Sequence, residues 1–178
     1  MAYALRSDIF MRSFWGWIQS LAYVVRGAHD MRLHDDEGVI RNYTQAIELS
    51  PEDLDNYYAR GHAYWHKRDH ERAIADFSKA IDLNPNDYYA HLVRGAIYRE
   101  RGRFQEAIRD LTWVIEMGQA PVLAYYLRAC AYAENKDYDL AVADLDTLLA
   151  IEPEHPKALQ LKAVCAAKLA EVAARRQG

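Results

Sequence analysis

The chain of 178 residues contains few cysteines, prolines and glycines. Its two cysteines, Cys130 and Cys165, are too few for a disulfide framework or a four-ligand zinc site, and they favour a reducing, cytoplasmic location. Five prolines and eight glycines supply little material for turns, which favours helices over a many-stranded sheet. The longest uncharged stretch, residues 13–25, is shorter than the roughly 20 residues that a membrane-spanning helix needs.

The chain also lacks a strong charge bias and the marks of a secretory signal. A net charge of −4 provides no attraction toward phosphate backbones, so we expect no nucleic acid partner. Arg6, Asp8 and Arg12 precede the first apolar run, and no small-residue cleavage site follows, so we expect no secretory signal. With 51% apolar and 27% charged residues, the composition is typical of a globular protein.

What the chain does contain is an internal repeat. The separation of Pro85 and Pro153 along the sequence is twice the separation of Pro51 and Pro85. Sliding the sequence by the shorter separation aligns most of it without a gap, in columns of one residue type. Two of these columns are Arg26, Arg60, Arg94, Arg128 and Gly27, Gly61, Gly95, Ala129.

Each repeat has the pattern of two antiparallel helices. In the second repeat, apolar residues at helical spacing form one stripe before the polar turn at 67–69 and another stripe after it. Asp69 is placed to cap the second helix, and Gly102 in the third repeat suits a left-handed helix end. The columns of small residues indicate where facing helices approach each other closely.

This pattern resembles the tetratricopeptide repeat. The second repeat matches it best, through Tyr57, Gly61, Tyr64, Ala73, Phe77, Ala80 and Pro85. The resemblance implies an all-α fold, a right-handed α-solenoid of antiparallel helix pairs. Its four repeats would occupy residues 20–53, 54–87, 88–121 and 122–155. It also implies a scaffold or adaptor without catalytic activity that binds a protein or peptide partner.

Two segments flank the predicted repeats. Residues 156–178 are expected to form one more helix, which caps the last repeat and keeps a lysine- and arginine-rich side in water. Residues 1–19 form an amphipathic N-terminal arm, which contains Phe10, Phe14, Trp15 and Trp17. Three interpretations of this apolar arm are open. It caps the first repeat, it inserts into the groove of its own or a neighbouring chain, or it contacts a membrane or a larger complex.

By resemblance, one face of each first helix lines the concave groove of the solenoid. The groove residues predicted to bind the partner are Tyr58, His62, Trp65, Tyr89, Leu92, Arg99 and Tyr126. An aromatic and apolar lining suits an apolar helix or an extended segment, although some of these rings could instead pack between repeats. The best-known charged variant of the family clamps a chaperone's C-terminal carboxylate. At the matching positions this chain lacks the lysine, asparagine and arginine of that clamp and has Val24, Ala28, Ala59, Tyr89 and Val93 instead, so we do not expect a chaperone tail as the ligand.

An acid or amide follows each arginine of the arginine column at one fixed offset. These residues are Asn42, Asp76, Asp110 and Asp144. The fixed offset predicts a ladder of Arg–Asp contacts that braces the helix pairs, with the first rung weakened at Asn42. The alternative is a cationic stripe that binds an acidic ligand, but the paired acids would neutralise it.

The sequence predicts no catalytic residue, metal site or cofactor. His62, His66 and His70 follow each other at steps of four residues, so the first two share a helix face, but no acid or cysteine completes a metal site nearby. The chain contains neither a glycine-rich phosphate loop nor a nucleophile motif, so we expect no enzyme. The rival hypothesis to an adaptor is a structural or assembly subunit of a larger complex. Such a subunit would be held through its N-terminal arm, which could lie on a membrane.

Overall fold

A computed structural model describes the backbone of residues 2–119 and 121–177 and the side chains of residues 16–119 and 121–175. Within these ranges the protein is built from helices and connecting turns, without a strand. The helices are α1 (Ala2–Arg32), α2 (Asp36–Leu49), α3 (Leu54–His66), α4 (His70–Leu83), α5 (Tyr88–Glu100), α6 (Phe104–Glu116), α7 (Pro121–Glu134), α8 (Tyr138–Ile151) and α9 (Pro156–Gln177). The predicted all-α fold is confirmed.

The helices form two compact units, Met1–Asp87 with α1 to α4 and Tyr88–Gly178 with α5 to α9. In the first unit α1 packs on α2, α2 on α3 and α3 on α4. In the second unit each helix from α5 to α8 likewise packs on the next helix in the chain. Short connections between packed neighbours make them antiparallel, so the predicted antiparallel pairs are confirmed.

The turn inside each helix pair contains one residue in the left-handed backbone conformation. These residues recur once per repeat at the same position, with φ angles of 57°, 64°, 71° and 70° at His34, Arg68, Gly102 and Lys136. The left-handed end predicted at Gly102 is therefore confirmed. The other three turns place a side chain in a conformation that costs roughly 1–2 kcal/mol for residues other than glycine.

Side-chain caps start the second helix of the first two pairs. Asp69 Oδ1 accepts a hydrogen bond from the Arg72 amide at 3.3 Å, as predicted. Asp35 Oδ1 accepts one from the Gly38 amide at 3.0 Å. Because these amides have no partner inside their own helices, the caps stabilise the first turn.

The column of small residues lies where the two helices of a pair approach each other. A Cβ atom added at Gly61 would lie 3.1 Å from the ring of Phe77, and one at Gly95 would lie 3.0 Å from Leu111 Cγ. Both neighbours are fully buried. The predicted close approach is thus confirmed at these two positions.

Candidate functional site

A small pocket opens in the first unit between the end of α1, the start of α2 and α3. Its volume is about 210 Å³. Val39, Ala59 and Ala63 are buried and supply an apolar floor. The remaining lining residues are Met31, His34, Asp36, His62 and His66. One of the predicted partner-binding residues, His62, therefore lies at a concave surface.

His62 is half-buried among aromatic rings. The centre of its ring lies 5.2 Å from that of Phe77, edge-on, and 6.1 Å from that of Trp65. Burial, and after it the neighbouring His66, lowers the pKa of His62 below its ordinary value of 6.5. The ring is therefore neutral at pH 7 and adds a weakly polar wall to the pocket rather than a charge.

The structure brings Tyr58 and Trp65 together with His62 on α3. The Tyr58 hydroxyl donates a hydrogen bond to the Asp87 carboxylate, and its ring centre lies 6.0 Å from that of Phe77. Tyr58 and Trp65 are both half-buried. These three side chains form a weakly polar, largely aromatic surface in the first unit.

The second unit exposes some of the predicted binding residues and buries one. Tyr89 is 39% exposed, whereas Arg99 and Tyr126 are half-buried. Arg99 Nη1 lies 3.4 Å from Glu134 Oε1, and the ring centre of Tyr126 lies 5.5 Å from that of His155. Arg99 on α5 is thus joined to Glu134 on α7, and Tyr126 on α7 contacts His155, which directly precedes α9.

Leu92 does not belong to an accessible surface. It is only 6% exposed and packs in a core cluster with Ala107, Leu111, Val114, Ala124 and Ala131. Its position on α5 matches the family's groove position, but the neighbouring helices of the second unit cover it. Leu92 is therefore not part of the candidate binding surface, contrary to the prediction from the sequence.

The two thiols are poorly suited to chemistry. Both cysteines are free and buried. Burial raises the pKa of Cys130, and the nearby Arg99 and Tyr126 only partly offset this effect. Burial also raises the pKa of Cys165. Because the thiolate is the reactive form, neither thiol is an activated nucleophile at neutral pH.

Three arginines of the repeat column form bidentate ion pairs with the predicted aspartates. Arg60 donates to Asp76 at 2.9 and 2.7 Å, Arg94 to Asp110 at 2.7 and 2.8 Å, and Arg128 to Asp144 at 2.8 and 2.7 Å. The ladder is therefore confirmed at these three rungs. Since each guanidinium is already neutralised, the arginines are poor candidates for an acidic ligand.

The first rung is built differently. Asn42 donates a hydrogen bond to Asp30 Oδ2 at 2.7 Å, while the Arg26 guanidinium lies 5.7 Å from the centre of the Tyr23 ring. Arg26 also lines an open polar pocket of about 350 Å³, together with Gln19, Ala22, Tyr23, Gln45, Glu48 and Leu49. Asn42 thus bonds to Asp30, whereas the aspartates of the other three rungs bond to their arginines.

Two threonines extend the ladder and were not foreseen from the sequence. Arg60 also donates to Thr44 Oγ1 at 3.1 Å, and Arg128 donates to Thr112 Oγ1 at 2.9 Å. Each guanidinium therefore joins three successive helices. Both threonines precede their arginine by the same offset at which the aspartate follows it, so this offset could have revealed them.

An apolar stripe of α1 is exposed in the first unit. Trp17 and Val25 are each 60% exposed, and Leu21 and Met31 are 47% and 41% exposed. The side chains of the other predicted arm residues, Phe10, Phe14 and Trp15, lie outside the described residues. The backbone of α1 is one helix from Ala2 to Arg32, so the arm and the first helix of the first repeat are continuous.

The described residues contain no group of three or more histidine, cysteine, aspartate or glutamate side chains that could hold a metal ion. No helix among them is long and apolar enough to cross a membrane.

Comparison with solved structures reveals close likeness of fold. MamA residues 41 to the end, from Desulfovibrio magneticus RS-1, are 20% identical, with a TM-score of 0.75 over 89% of this chain and 96% of that one. A tetratricopeptide repeat protein from Parabacteroides merdae is 18% identical, with a TM-score of 0.75 over 86% of this chain and 60% of that one. The TPR2B domain of yeast Sti1, solved as a pHsp70 complex, is 21% identical, with a TM-score of 0.61 over 66% and 98%.

Identities this low establish the fold alone, and comparison with curated protein sequences finds no significant match. The family profile described as tetratricopeptide repeat matches residues 40–88, 58–112, 92–158 and 126–174. These overlapping matches, with the nine described helices, confirm the prediction of about four repeats and a C-terminal helix. Because the matches together span well over half of the chain, the protein belongs to the tetratricopeptide repeat family.

Proposed function

We propose that the protein is a scaffold or adaptor without catalytic activity, which binds an apolar helix or extended peptide of a partner protein. The contacts would be made by the first-helix surfaces of its two units, through Tyr58, His62 and Trp65 in one and Tyr89, Arg99 and Tyr126 in the other. Repeat folds of this family generally serve as interaction modules, and the yeast Sti1 domain named above was solved with a pHsp70 ligand.

The observation that carries this proposal is the lining of the pocket beside α3. Its floor is made of buried Val39, Ala59 and Ala63, and its histidine wall includes a neutral His62. A largely apolar lining favours an apolar ligand over an acidic peptide tail. The aromatic residues beside it can bury a large area at a small cost in side-chain entropy.

A capture experiment tests this proposal. The wild-type chain and a Tyr58→Ala/Trp65→Ala/Tyr126→Ala variant are used as baits in lysate of the native source, and captured proteins are identified by mass spectrometry. The purified candidate is then titrated by calorimetry. We expect the triple variant to lose the partner by at least about 100-fold in affinity, since hot-spot aromatics each contribute roughly 2 kcal/mol or more.

The matched control removes apolar side chains from second helices. Leu49, Leu140 and Ile151 are exposed on α2 and α8, and their combined replacement by alanine should leave the affinity unchanged. Equal loss in both variants, or no loss in the first, would contradict the first-helix surfaces as the binding site.

A second candidate function rests on the exposure of Trp17 and its neighbours on α1. The protein could be a structural subunit that a larger assembly, at a membrane or away from one, holds through the N-terminal arm. The two functions differ in the free protein. An adaptor should be monodisperse alone, whereas a subunit without its assembly should aggregate or bind lipid vesicles, and replacing Trp17 by glutamate should reverse this behaviour.

The compartment that fits best is a reducing one, such as the cytoplasm. Cys130 and Cys165 are both free thiols, and neither is needed as a disulfide for the described packing. Growth of the native source with a tagged chain, followed by cell fractionation, tests this location. Recovery with secreted proteins would contradict it, whereas recovery with membranes would fit a cytoplasmic protein bound at a membrane surface.

A further inference from the structure

The continuity of α1 decides where its N-terminal part can bind. α1 contains 31 residues and α2 contains 14, which correspond to lengths of about 46 Å and 21 Å at 1.5 Å per residue. α2 can therefore pack along less than half of the length of α1. A continuous helix carries the arm away from the surface that residues 20–32 form with α3, so the arm cannot fold back onto that surface in its own chain.

The sequence along α1 has the spacing of a helix that packs on another helix. Apolar residues alternate at steps of four and three, through Phe10, Phe14, Trp17, Leu21, Val24, Ala28 and Met31. Seven apolar positions with this heptad spacing are typical of a coiled-coil seam. The described part of the seam includes the exposed Trp17, Leu21 and Met31.

The charges on α1 and after it favour an antiparallel partner of the same sequence. Residues 2–19 carry two arginines and one aspartate, whereas residues 29–37 carry four acids and one arginine. An antiparallel copy would bring the net positive end of one α1 beside Asp35, Asp36 and Glu37, which closely follow the other α1. Among the described residues, only Glu37 of these three is paired with a lysine, Lys67. A parallel copy would place like charges together, which costs free energy.

We propose that α1 of a second copy of this chain occupies the first-helix surface of the first unit, in antiparallel orientation. This inference rests on the surface described under the proposed function and adds an occupant. The heptad register pairs Phe14 with Met31, Trp17 with Ala28 and Leu21 with Val24 across the two copies. Large residues then face smaller or flexible ones, as interdigitated packing requires.

The pocket near Met31 has the size for one side chain of the second copy. Its volume of about 210 Å³ is far above the roughly 30 Å³ that one water fills, and below the roughly 300 Å³ at which small-molecule sites begin. Phe14 of the second copy, placed opposite Met31, is the residue that the register brings nearest to it.

The seam could supply a large part of the area that a stable dimer needs. A stable interface needs about 800 Å² from each partner. Buried aromatic side chains contribute roughly 150–250 Å² each, so Phe14 and Trp17, the two aromatic positions with an α1 residue opposite them, could supply about 300–500 Å². Leu21 and Met31, which are 47% and 41% exposed in the same seam, would add to this area.

The mass of the full-length chain in solution tests the dimer. By sedimentation equilibrium, the wild-type chain should have twice its chain mass of 20.5 kDa. The Leu21→Glu variant should be monomeric, because the carboxylate would be buried in the seam. Leu140→Glu is the matched control, since Leu140 on α8 is 45% exposed against 47% for Leu21, and it should remain dimeric. Circular dichroism confirms that both variants are folded.

Cross-linking tests the orientation. Phe14→Cys and Met31→Cys chains are mixed and oxidised with oxidised glutathione. The antiparallel register predicts disulfides between positions 14 and 31 of different chains, whereas a parallel pair would give 14–14 and 31–31 disulfides. The native Cys130 and Cys165 are buried and should not contribute.

Three results would overturn the inference: a monomeric wild-type chain at high protein concentration, a dimer that survives in Leu21→Glu, or cross-links of the parallel pattern. A monomer that sediments with phosphatidylglycerol vesicles would overturn it in favour of a membrane contact. The proposed function fails separately. A monomer that still binds a partner through Tyr58 and Trp65 contradicts only the dimer, and a dimer without any partner contradicts only the adaptor.

Discussion

The Arg94 guanidinium and the Asp110 carboxylate face each other with two parallel hydrogen bonds, Nε to Oδ2 at 2.7 Å and Nη2 to Oδ1 at 2.8 Å. His91 Nδ1 lies 3.1 Å from the same Oδ1. Burial opposes ionisation of Asp110, but the hydrogen bonds from Arg94 and His91 outweigh it, so the pKa of Asp110 lies below its ordinary value. The carboxylate is thus held charged between α5 and α6.

Replacing Arg94 by alanine should lower the free energy of unfolding by about 3 kcal/mol, because Asp110 would remain buried without its main partner. The affinity of folded protein for its partner should change by less than about threefold. Urea denaturation and calorimetric titration measure the two effects. The control is Arg109→Ala, an exposed arginine on α6, which should alter stability by no more than about 0.5 kcal/mol. A larger effect on affinity than on stability would contradict a structural ladder.

Lys136→Gly should stabilise the protein. Lys136 has a φ of 70°, and it is exposed in the turn between α7 and α8. Glycine adopts this conformation without the steric cost of a Cβ atom, so we expect a gain of about 0.5–1 kcal/mol in thermal or urea unfolding. Lys79→Gly, at an exposed position inside α4, should instead cost about 1 kcal/mol. Equal effects at the two positions would argue against backbone strain in the turn.

Two glycines of α1 should respond to alanine in opposite ways. A Cβ atom at Gly27 would lie 2.5 Å from Cε2 of the buried Tyr43 ring, so Gly27→Ala should destabilise the protein by about 1–3 kcal/mol. At Gly16 the same atom would meet nothing within 4 Å. Gly16→Ala should stabilise α1 by up to about 1 kcal/mol through helix propensity. Thermal unfolding of both variants measures the difference, and destabilisation by Gly16→Ala would show an unrecognised close contact.

The depressed pKa of His62 predicts a loss of stability in mild acid. A histidine with a lowered folded pKa binds its proton more readily when the chain is unfolded, so its contribution is intact above pH 6.5 and decreases as the pH falls toward the folded pKa. Between pH 7.5 and 5.5 the wild-type chain should therefore lose more stability than His62→Gln. Urea midpoints across this range give both slopes. Parallel slopes would mean that His62 does not titrate in this window.

Much of the architecture could be predicted from repetition in the sequence. The repeat interval placed Asp69 at a helix cap, Gly102 at a left-handed end and three Arg–Asp rungs between helices. These features depend on local backbone geometry and on contacts that recur from repeat to repeat. The residues of one repeat therefore predict the structure at the same positions of the next. His34, Arg68 and Lys136 were not recognised as left-handed, because their residue types carry no strong signal for that conformation.

The candidate surface was less predictable. Family positions placed Leu92 beside Tyr89 and Arg99 in the groove, yet Leu92 is covered by the core of the second unit. Asn42 was expected as a weakened partner of Arg26, but it bonds to Asp30 instead. In both cases the outcome depends on which neighbouring side chain fills the nearby space, and that choice is not repeated along the chain.

The sequence alone determined the class of fold, the helix pairing and the residue types that brace it, because a strict repeat of this length admits few other ways to bury its apolar columns. Only the tertiary structure decided which of the candidate binding residues are accessible, how large the pocket beside His62 is, and that the N-terminal arm continues α1 without a break. These properties depend on how side chains distant in the sequence compete for the same volume, and on the rigidity of a long helix.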